Sequence, residues 1–152
     1  MVIREMTEDE CRQALERLNF GRLACARDNQ PYVVPIYFSY DGRHLYGFST
    51  PGQKIEWMRS NPLICLEVDE RTSPDEWMSV VVSGRYQELP DTPEFAGGRV
   101  QAQEALQKHA PWWEYASVPG AEWRRKGGPF TPIFYRIHIE KLTGHRATAG
   151  HR

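Results

Sequence analysis

The chain has 152 residues, of which 40% are apolar and 26% charged, so its length and composition fit one globular domain with a substantial core. Nineteen basic residues against twenty acidic ones leave almost no net charge, which argues against non-specific binding of nucleic acid. No apolar stretch approaches the roughly 20 residues that span a bilayer, and the acidic N-terminus lacks the apolar run of a secretory signal, so neither a membrane location nor export is expected.

The first predicted element is a short amphipathic helix that follows Met6. Thr7 can cap its N-terminus, and Glu10, three residues later, can complete a capping box. The next apolar residues recur at helical spacing and form one stripe: Cys11, Ala14, Leu15 and Leu18. Gly21 ends the helix, so this element supplies one apolar face to a core.

Three strands are predicted next: Gly21–Ala26, Pro31–Tyr40 and Arg43–Ser49. Asp28-Asn29-Gln30 supplies a turn after the first strand, and Asp41-Gly42 predicts a hairpin between the second and third. Pro35 has no backbone N–H to donate to a ladder, so the second strand must have a free side or a bulge there. The missing ladder bond also leaves a neighbouring backbone group available to a ligand or to water.

Helices and strands alternate in the rest of the chain. A helix is predicted from Thr50 to about Ser60, before Asn61-Pro62, and a less regular one over Pro93–His109. Further strands are predicted at Leu63–Val68, at Trp77–Leu89 and in the alternating segment that begins at Ile133. The polar tail, residues 143–152, is expected to be flexible.

Six strands with short flanking helices predict a mainly β (α+β) fold. We expect a single domain over residues 1–152, built as a small six-stranded antiparallel β-barrel, closed or split. A barrel is favoured because its closure removes the aggregation hazard of exposed strand edges.

The stretch from Phe48 to Met58, FSTPGQKIEWM, has the chemistry of an anion site. Thr50 can act as the N-cap of the following helix, with Pro51 at its first position and Gln53 completing a capping box. A helix start also leaves backbone N–H groups unpaired, and Lys54 adds a full positive charge. The segment is therefore either a well-capped helix start or a phosphate site.

Several segments of this chain occur in an order that resembles one known family. They are PYVVPIYF, LYGFS, TPGQKIEWMRSNPLICLEVDE and SVVVSGRYQEL, and the similarity resumes at RIHIEKLTGHRA. The chain resembles the pyridoxamine 5′-phosphate oxidase-like family of FMN-binding split barrels, and within it the subgroup related to nitroimidazole-resistance proteins. The resemblance covers about residues 7–90 well.

The resemblance implies a homodimer that binds FMN at two sites on its interface. The isoalloxazine ring then lies along one strand and takes hydrogen bonds from the backbone of Val33, Val34, Pro35 and Ile36. The phosphate is held at the start of the short helix by Ser49 or Thr50 together with Gln53 and Lys54, next to Phe48. This implied phosphate site coincides with the one that the helix chemistry predicts.

Trp112 and Trp113 lie in a Pro-flanked aromatic segment with Tyr115 nearby. Their rings can stack on a flavin or on a planar substrate. They can equally plug the end of the barrel or pack across a dimer, because apolar burial alone is enough reason for such large rings. Trp113 is a candidate cofactor contact on this basis.

Cysteine and histidine usage favours a reducing cytoplasm and no metal. The three cysteines are odd in number and widely spaced, and the five histidines form no HxxxH or HxH pair. Glu67 and Asp69 are either an acid–base pair or a solvated strand end. No residue is assigned as catalytic.

We therefore predict an FMN-binding flavoprotein, an oxidoreductase that acts on an unknown small molecule. One alternative is a deazaflavin-dependent reductase on the same barrel. Another is a non-catalytic module that binds flavin or haem, or that acts as a sensor. Neither nucleic acid nor a membrane is expected as a partner.

Overall fold

The structure is a computed structural model that describes residues 1–108 and 132–150. Its strands are β1 (Val2–Glu5), β2 (Phe20–Arg27), β3 (Gln30–Tyr37), β4 (Ser39–Tyr40), β5 (His44–Ser49), β6 (Leu63–Ser73), β7 (Glu76–Glu88) and β8 (Ile133–Thr148). Its helices are α1 (Glu8–Arg17), α2 (Gln53–Ser60) and α3 (Ala96–Leu106), and a 3₁₀ turn at Pro93–Phe95 precedes α3. Within the described ranges, none of the helices combines the length and apolar character needed to cross a bilayer.

The strands form one antiparallel sheet that curls on itself. Its order is β3-β2-β6-β7-β8-β5-β4, and β1 pairs with β8. β3 and β4 lie at opposite ends of this order, yet only Phe38 separates them in the chain. The two ends of the sheet must therefore meet at Phe38. No ladder joins them within the described residues, so the barrel is split, and the predicted fold class is confirmed.

Alternating side chains of the strands fill the barrel interior. On β7 every second residue is buried: Met78, Val80, Val82, Gly84 and Tyr86. Except at Gly84, which has no side chain, these residues join one large apolar cluster with residues from β2, β3, β6, β8, α1 and α2. Burying one large apolar side chain contributes about 1.5–3 kcal/mol, so this cluster is the main source of stability.

α1 begins as predicted. The Thr7 hydroxyl accepts a hydrogen bond from the Glu10 backbone N–H at 3.2 Å, and the Glu10 carboxylate accepts one from the Thr7 N–H at 3.0 Å. This capping box satisfies donors that the first helical turn would otherwise leave unpaired. The buried face of α1 packs closely on β8, because a Cβ added at Gly144 would lie 2.8 Å from the Cys11 sulfur.

α3 covers the outer face of β5 and β8. A second, smaller apolar cluster lies there, formed by Tyr46, Leu89, Ala102, Ala105, Leu106 and Phe134, with Phe48 and Phe95 packed against it. The predicted helix over Pro93–His109 is shorter in the structure, since the 3₁₀ turn comes first and α3 ends at Leu106. α3 continues through Gly97-Gly98, so packing of its apolar face outweighs the low helix propensity of glycine.

The predicted second strand, Pro31–Tyr40, is interrupted at Phe38. β3 pairs with β2, while the two residues of β4 form the hairpin with β5 across Asp41-Gly42. The prediction that Pro31–Tyr40 forms one long strand of this hairpin is therefore wrong, whereas the turn at Asp41-Gly42 is present. The physical reason is that the chain passes at Phe38 from one end of the curled sheet to the other, and a single straight strand cannot belong to both ends. β3 is the end strand, as Pro35 predicted.

The prediction of a flexible tail over residues 143–152 is wrong for residues 143–148. This segment continues β8, paired with β7 along one side and with β1 along the other. β1 was not predicted, because its four residues are all exposed and show no alternation. Pairing on both sides satisfies the backbone groups of β8 and holds this end in the sheet.

Candidate functional site

The predicted cofactor residues lie on both sides of the split in the barrel. β3 has a partner strand on one side, and β4 covers Leu45 and Tyr46 of β5. Beyond them, within the described residues, Gly47–Ser49 has no strand neighbour on its β4 side. The chain leaves β5 at this point and enters α2. The free edge of β3 and the start of α2 therefore flank the same opening.

α2 begins without a side-chain cap. Its N-cap is Gly52, in an extended conformation, and the first helical bond runs from the Glu56 N–H to the Gly52 carbonyl at 3.1 Å. The predicted capping box of Thr50 and Gln53 is wrong, because the helix begins at Gln53 and its cap position falls on a residue with no side chain. Within the part of the chain that the structure describes, no side chain caps the first backbone N–H groups of α2, which suits them to another acceptor.

Lys54 is a half-buried cation. Burial lowers its pKa, and the nearby Cys25 thiol has a smaller effect in the opposite direction. Among the described residues, no carboxylate lies within ion-pair distance of its ammonium group. A charge partly withdrawn from water without a counterion is unfavourable, so this position favours a bound anion.

The other residues predicted to bind the phosphate precede Lys54 by one to five positions in the chain. Ser49 is buried at the end of β5, and its hydroxyl donates to the Thr50 carbonyl at 2.8 Å. Thr50 is half-buried and Gln53 is exposed. Phe48 points to the opposite face of β5, where its ring packs against the cluster under α3. The two hydroxyls, the amide and the ammonium group thus belong to neighbouring residues at the end of β5 and the start of α2, and the Phe48 side chain lies on the opposite face of β5 from Ser49.

The register of β2 and β3 decides which backbone groups of β3 are free. Pairs in an antiparallel ladder alternate between hydrogen-bonded and non-hydrogen-bonded. The Phe38 N–H donates to the Asn19 carbonyl at 2.9 Å, so these two residues form a hydrogen-bonded pair. Counting along the register from this pair places Val33 and Pro35 at non-hydrogen-bonded positions.

Backbone groups at such positions point away from the partner strand. The Val33 N–H and C=O and the Pro35 C=O therefore face the free edge of the sheet, where Pro35 has no N–H to offer. The side chains alternate across the strand: that of Val33 is 62% exposed, whereas that of Ile36 is 5% exposed and faces the barrel interior, as the half-buried Val34 does. The edge thus presents one donor and two acceptors, which suits a planar heterocycle with both kinds of polar atom.

Contacts between α2 and the β2–β3 hairpin connect the two parts of the site. The ring of Trp57 lies 5.5 Å from that of Tyr32 and carries the Arg27 guanidinium over its face at 5.3 Å. Cys25, which interacts with Lys54, is the cross-strand partner of Tyr32. Lys54 therefore lies close to the strand that bears Val33.

An apolar surface extends over the outer face of the sheet beside β3. Four of its large side chains are between 44% and 62% exposed: Phe20, Val33, Tyr37 and Leu63. The rings of Phe20 and Tyr37 lie 5.0 Å apart, edge to face. An open groove of 480 Å³ continues this surface, lined by Ala24, Ala26, Pro31, Leu63 and Cys65 among others.

Comparison with known proteins supplies the family. The sequence model described as pyridoxamine 5′-phosphate oxidase matches residues 7–146. The chain belongs to this family. It is also 43% identical over 150 residues to an uncharacterised protein of Rhizobium meliloti (strain 1021), with 99% of each chain covered.

Solved structures also resemble this member of the pyridoxamine 5′-phosphate oxidase family. An FAD-binding protein of Mesorhizobium loti is 46% identical, with a TM-score of 0.78 and coverage of 97% of this chain and 100% of that one. A candidate 5-nitroimidazole antibiotic resistance protein of Bacteroides thetaiotaomicron is 16% identical, with a TM-score of 0.68 and coverage of 98% and 93%. The second likeness shows the fold alone.

The remaining predicted residues are the tryptophans of the aromatic segment and the carboxylate pair of Glu67 and Asp69. Trp113, like Trp112, lies outside the described residues. Glu67 lies on the outer face of β6, opposite Arg22, and the Ser79 hydroxyl donates to its carboxylate at 3.2 Å. Burial, and then the neighbouring Asp69, raise the pKa of Glu67. The pair is thus not a fully solvated strand end.

Sequence reasoning missed two features that depend on pairing between strands. Cys25 is buried, at 5% exposure, and its position beside Lys54 could not be foreseen from the sequence. His44 and His138 lie side by side, although 94 residues separate them in the chain. No local spacing in this member of the pyridoxamine 5′-phosphate oxidase family signals either contact.

Proposed function

We propose that the protein binds FMN non-covalently in the split between β3 and the start of α2. The observation that carries this proposal is Lys54, a half-buried ammonium group without a carboxylate partner among the described residues, next to a helix start with no side-chain cap. A phosphate monoester would supply the negative charge and accept hydrogen bonds from the free N–H groups. The donors present therefore fit the phosphate of a flavin nucleotide.

Each predicted residue has a binding role in this proposal. Ser49 and Thr50 provide hydroxyls to the phosphate, Gln53 its side-chain amide, and Lys54 its charge. Ser49 needs only to rotate its hydroxyl away from the Thr50 carbonyl, which it contacts at 2.8 Å. Trp113 remains a proposed ring contact.

The free edge of β3 binds the ring in the same proposal. The Val33 N–H donates to a ring acceptor, and the carbonyls of Val33 and Pro35 accept from a ring N–H. Val34 and Ile36 hold the strand in place, because their side chains pack inside the barrel. The backbone thus orients the ring without a charged side chain.

We further propose that the protein is an oxidoreductase that acts on a small molecule. A bound flavin supplies the hydride or electron transfer, and the chain contributes position and electrostatics. The structural neighbour with 46% identity is named for FAD binding, which supports a flavin and makes FAD the second candidate cofactor. The site described above would serve the ring-proximal phosphate of either nucleotide.

The apolar outer face supports a homodimer with the cofactor sites at its interface. Large apolar side chains are exposed on this face, with Val33 at 62% and Leu63 at 53%. Removing such area from water contributes about 25 cal/mol per Å². Since Val33 belongs to both the ring-binding edge and this face, a second copy that covers the face would also enclose the ring.

The three cysteines within the described residues are free, which supports a location in the reducing cytoplasm.

The deazaflavin and haem alternatives use the same barrel. They differ in the spectrum of the bound cofactor.

The absorption spectrum of the purified protein and the mass of the released cofactor test the proposal. Bound FMN or FAD gives bands near about 370 and 450 nm, deazaflavin one near about 420 nm and haem an intense Soret band, because these are properties of the cofactors themselves. We expect flavin bands and the mass of FMN. The mass of FAD would select the second candidate, and a deazaflavin or haem spectrum would overturn the flavin proposal.

Rapid reduction by NAD(P)H is the expected sign of turnover, and a flavin that no plausible donor reduces would overturn the oxidoreductase proposal.

A further inference from the structure

His44 and His138 form a cross-strand pair on the outer face of the sheet. They lie directly opposite each other in the β5–β8 register, and both side chains are half-buried. The Nε2 atom of His44 is 3.1 Å from the Nδ1 atom of His138, with the ring centroids 4.7 Å apart and the planes perpendicular. The two imidazoles thus meet through ring nitrogens.

Gln87 fixes which nitrogen of His138 carries a hydrogen. The Arg136 Nε, which can only donate, contacts the Gln87 Oε1 at 2.7 Å, so this atom of the amide is the oxygen. The same oxygen lies 2.7 Å from the Nε2 of His138, which therefore donates to it. When His138 is neutral, its Nδ1 lone pair is directed towards His44. An oxygen acceptor on the remote nitrogen is also what orients histidines at metal sites.

Charged side chains lie near the pair. Arg43 and Arg136 act on both rings, and the carboxylate of Asp41 acts on His44. The two arginines oppose a bound cation and Asp41 favours it, so the imidazole nitrogens themselves must supply most of the binding free energy.

The separation of the two nitrogens matches a chelate. Nitrogens that are each about 2.0–2.1 Å from a zinc ion at adjacent corners lie roughly 2.9–3.4 Å apart, and the observed distance is 3.1 Å. A straight N–H···N hydrogen bond of the same length would hold the ring centroids about 5.3 Å apart, instead of the observed 4.7 Å. The hydrogen bond from the His44 Nε2–H to the His138 Nδ1 is therefore bent, and the two rings meet at an angle that is also suitable for two ligands of one ion.

We propose that His44 and His138 form a two-histidine site for a divalent transition metal that prefers imidazole, such as Zn²⁺, Ni²⁺ or Cu²⁺. The described residues supply no third His, Cys, Asp or Glu to it, so water completes the coordination and positions stay open. The site lies at the start of β5, at the opposite end of the strand from Ser49. It is therefore independent of the proposed flavin site.

Zinc titration of the untagged, metal-free protein tests the proposal. The exposed thiol of Cys65 is itself a zinc ligand, so Cys65→Ser serves as the background for every variant. Calorimetry should show binding that His44→Ala and His138→Ala each weaken by about tenfold or more. The matched control is His145→Ala, an exposed histidine on the same strand β8, which should leave the affinity unchanged.

A second readout does not depend on the stability of the variants. In ¹H–¹⁵N spectra of the wild-type side chains, Zn²⁺ should shift the Nε2 resonance of His44 and the Nδ1 resonance of His138. Binding should also weaken as the pH falls, since protons compete for the same nitrogens. Absence of zinc binding, equal affinity in the two variants and the control, or shifts confined to other histidines would each overturn the proposal.

Discussion

Lys54 shows how the surroundings of one side chain point to a ligand. A lysine at the start of a helix is unremarkable when it extends into water, but this one is half-buried and its pKa is lowered by that burial. The chain bears the unfavourable free energy of a partly desolvated charge. A bound phosphate would remove this cost, which is why Lys54 has the central role in the proposed binding of a flavin nucleotide.

At the same scale, the capping box of α1 predicts a dependence of stability on pH. The Arg4 guanidinium and the Thr7 backbone N–H lower the pKa of Glu10 from 4.5 to about 2. Because the folded-state pKa is the lower one, the contribution of Glu10 is fully present above about pH 4.5 and is lost as the pH falls towards 2.

Thermal unfolding of Glu10→Gln as a function of pH measures this contribution. The variant should melt below the wild type at pH 7, and the difference should shrink progressively below pH 4.5. Glu104→Gln, which changes an exposed carboxylate on α3, is the control. A difference between Glu10→Gln and the wild type that stays constant from pH 7 to pH 2.5 would contradict the assignment.

Residue types predicted some local features and not others. Thr7 and Glu10 predicted the start of α1 because the capping box is a local interaction. The same pattern at Thr50 and Gln53 failed, because the position of α2 is set by packing of Ile55 and Met58 in the core. The cation at position 54 could be read from the sequence, but its burial could not.

At the scale of elements, hairpin turns were predictable and strand pairing was less so. Asp28 and Asn29 both adopt positive φ values, 51° and 63°, which these residue types tolerate better than others. The break at Phe38 could not be predicted, since it results from closure of the sheet. The pairing of His44 with His138 likewise depends on the register of strands distant in the chain.

Close packing of α1 on β8 predicts the effect of adding one methyl group. A Cβ at Gly144 would lie 2.8 Å from the Cys11 sulfur, 2.9 Å from the Met6 sulfur and 3.1 Å from the Ser79 carbonyl oxygen. Gly144→Ala should therefore lower the free energy of unfolding by about 1–3 kcal/mol, because the helix must shift to admit the methyl group.

Gly97→Ala is the matched control for this substitution. Apart from its chain neighbours and the backbone of α3 itself, no atom of the described residues lies within 4 Å of a Cβ at Gly97, which is in the first turn of α3. Alanine there should be neutral or stabilise by up to about 1 kcal/mol. Urea denaturation of both variants checks the pair. Equal effects of the two substitutions would contradict the packing described for α1.

At the scale of the whole molecule, the split positions the site. β3 ends the sheet on one side, and the end of β5 with the start of α2 lies across the opening. Backbone groups that pair with a neighbouring strand elsewhere in the sheet are thereby left available along β3. The fold class was predictable because the strands alternate clearly, whereas this opening follows from the order of the strands in space.

The exposed apolar face predicts association of two chains. Leu63→Asp places a charge on this face and should convert a dimer into a monomer, because an unpaired buried charge is strongly unfavourable. Val100→Asp, at a residue of α3 with nearly the same exposure, should leave the dimer intact. Light scattering coupled to gel filtration measures both masses. A monomeric wild type, or a dimer that persists in Leu63→Asp, would contradict the proposed interface.

The most direct test of the account compares the affinities of the apoprotein for FMN and riboflavin, measured by quenching of flavin fluorescence. Riboflavin has the same ring and no phosphate. The wild type should favour FMN by about ten- to a hundredfold, equivalent to about 1.5–3 kcal/mol for a charge-assisted contact. Lys54→Ala should remove most of this preference, and Lys141→Ala, at an exposed lysine of β8, should retain it. Equal affinity of the wild type for the two ligands, or an unchanged preference in Lys54→Ala, would contradict a phosphate site at the start of α2.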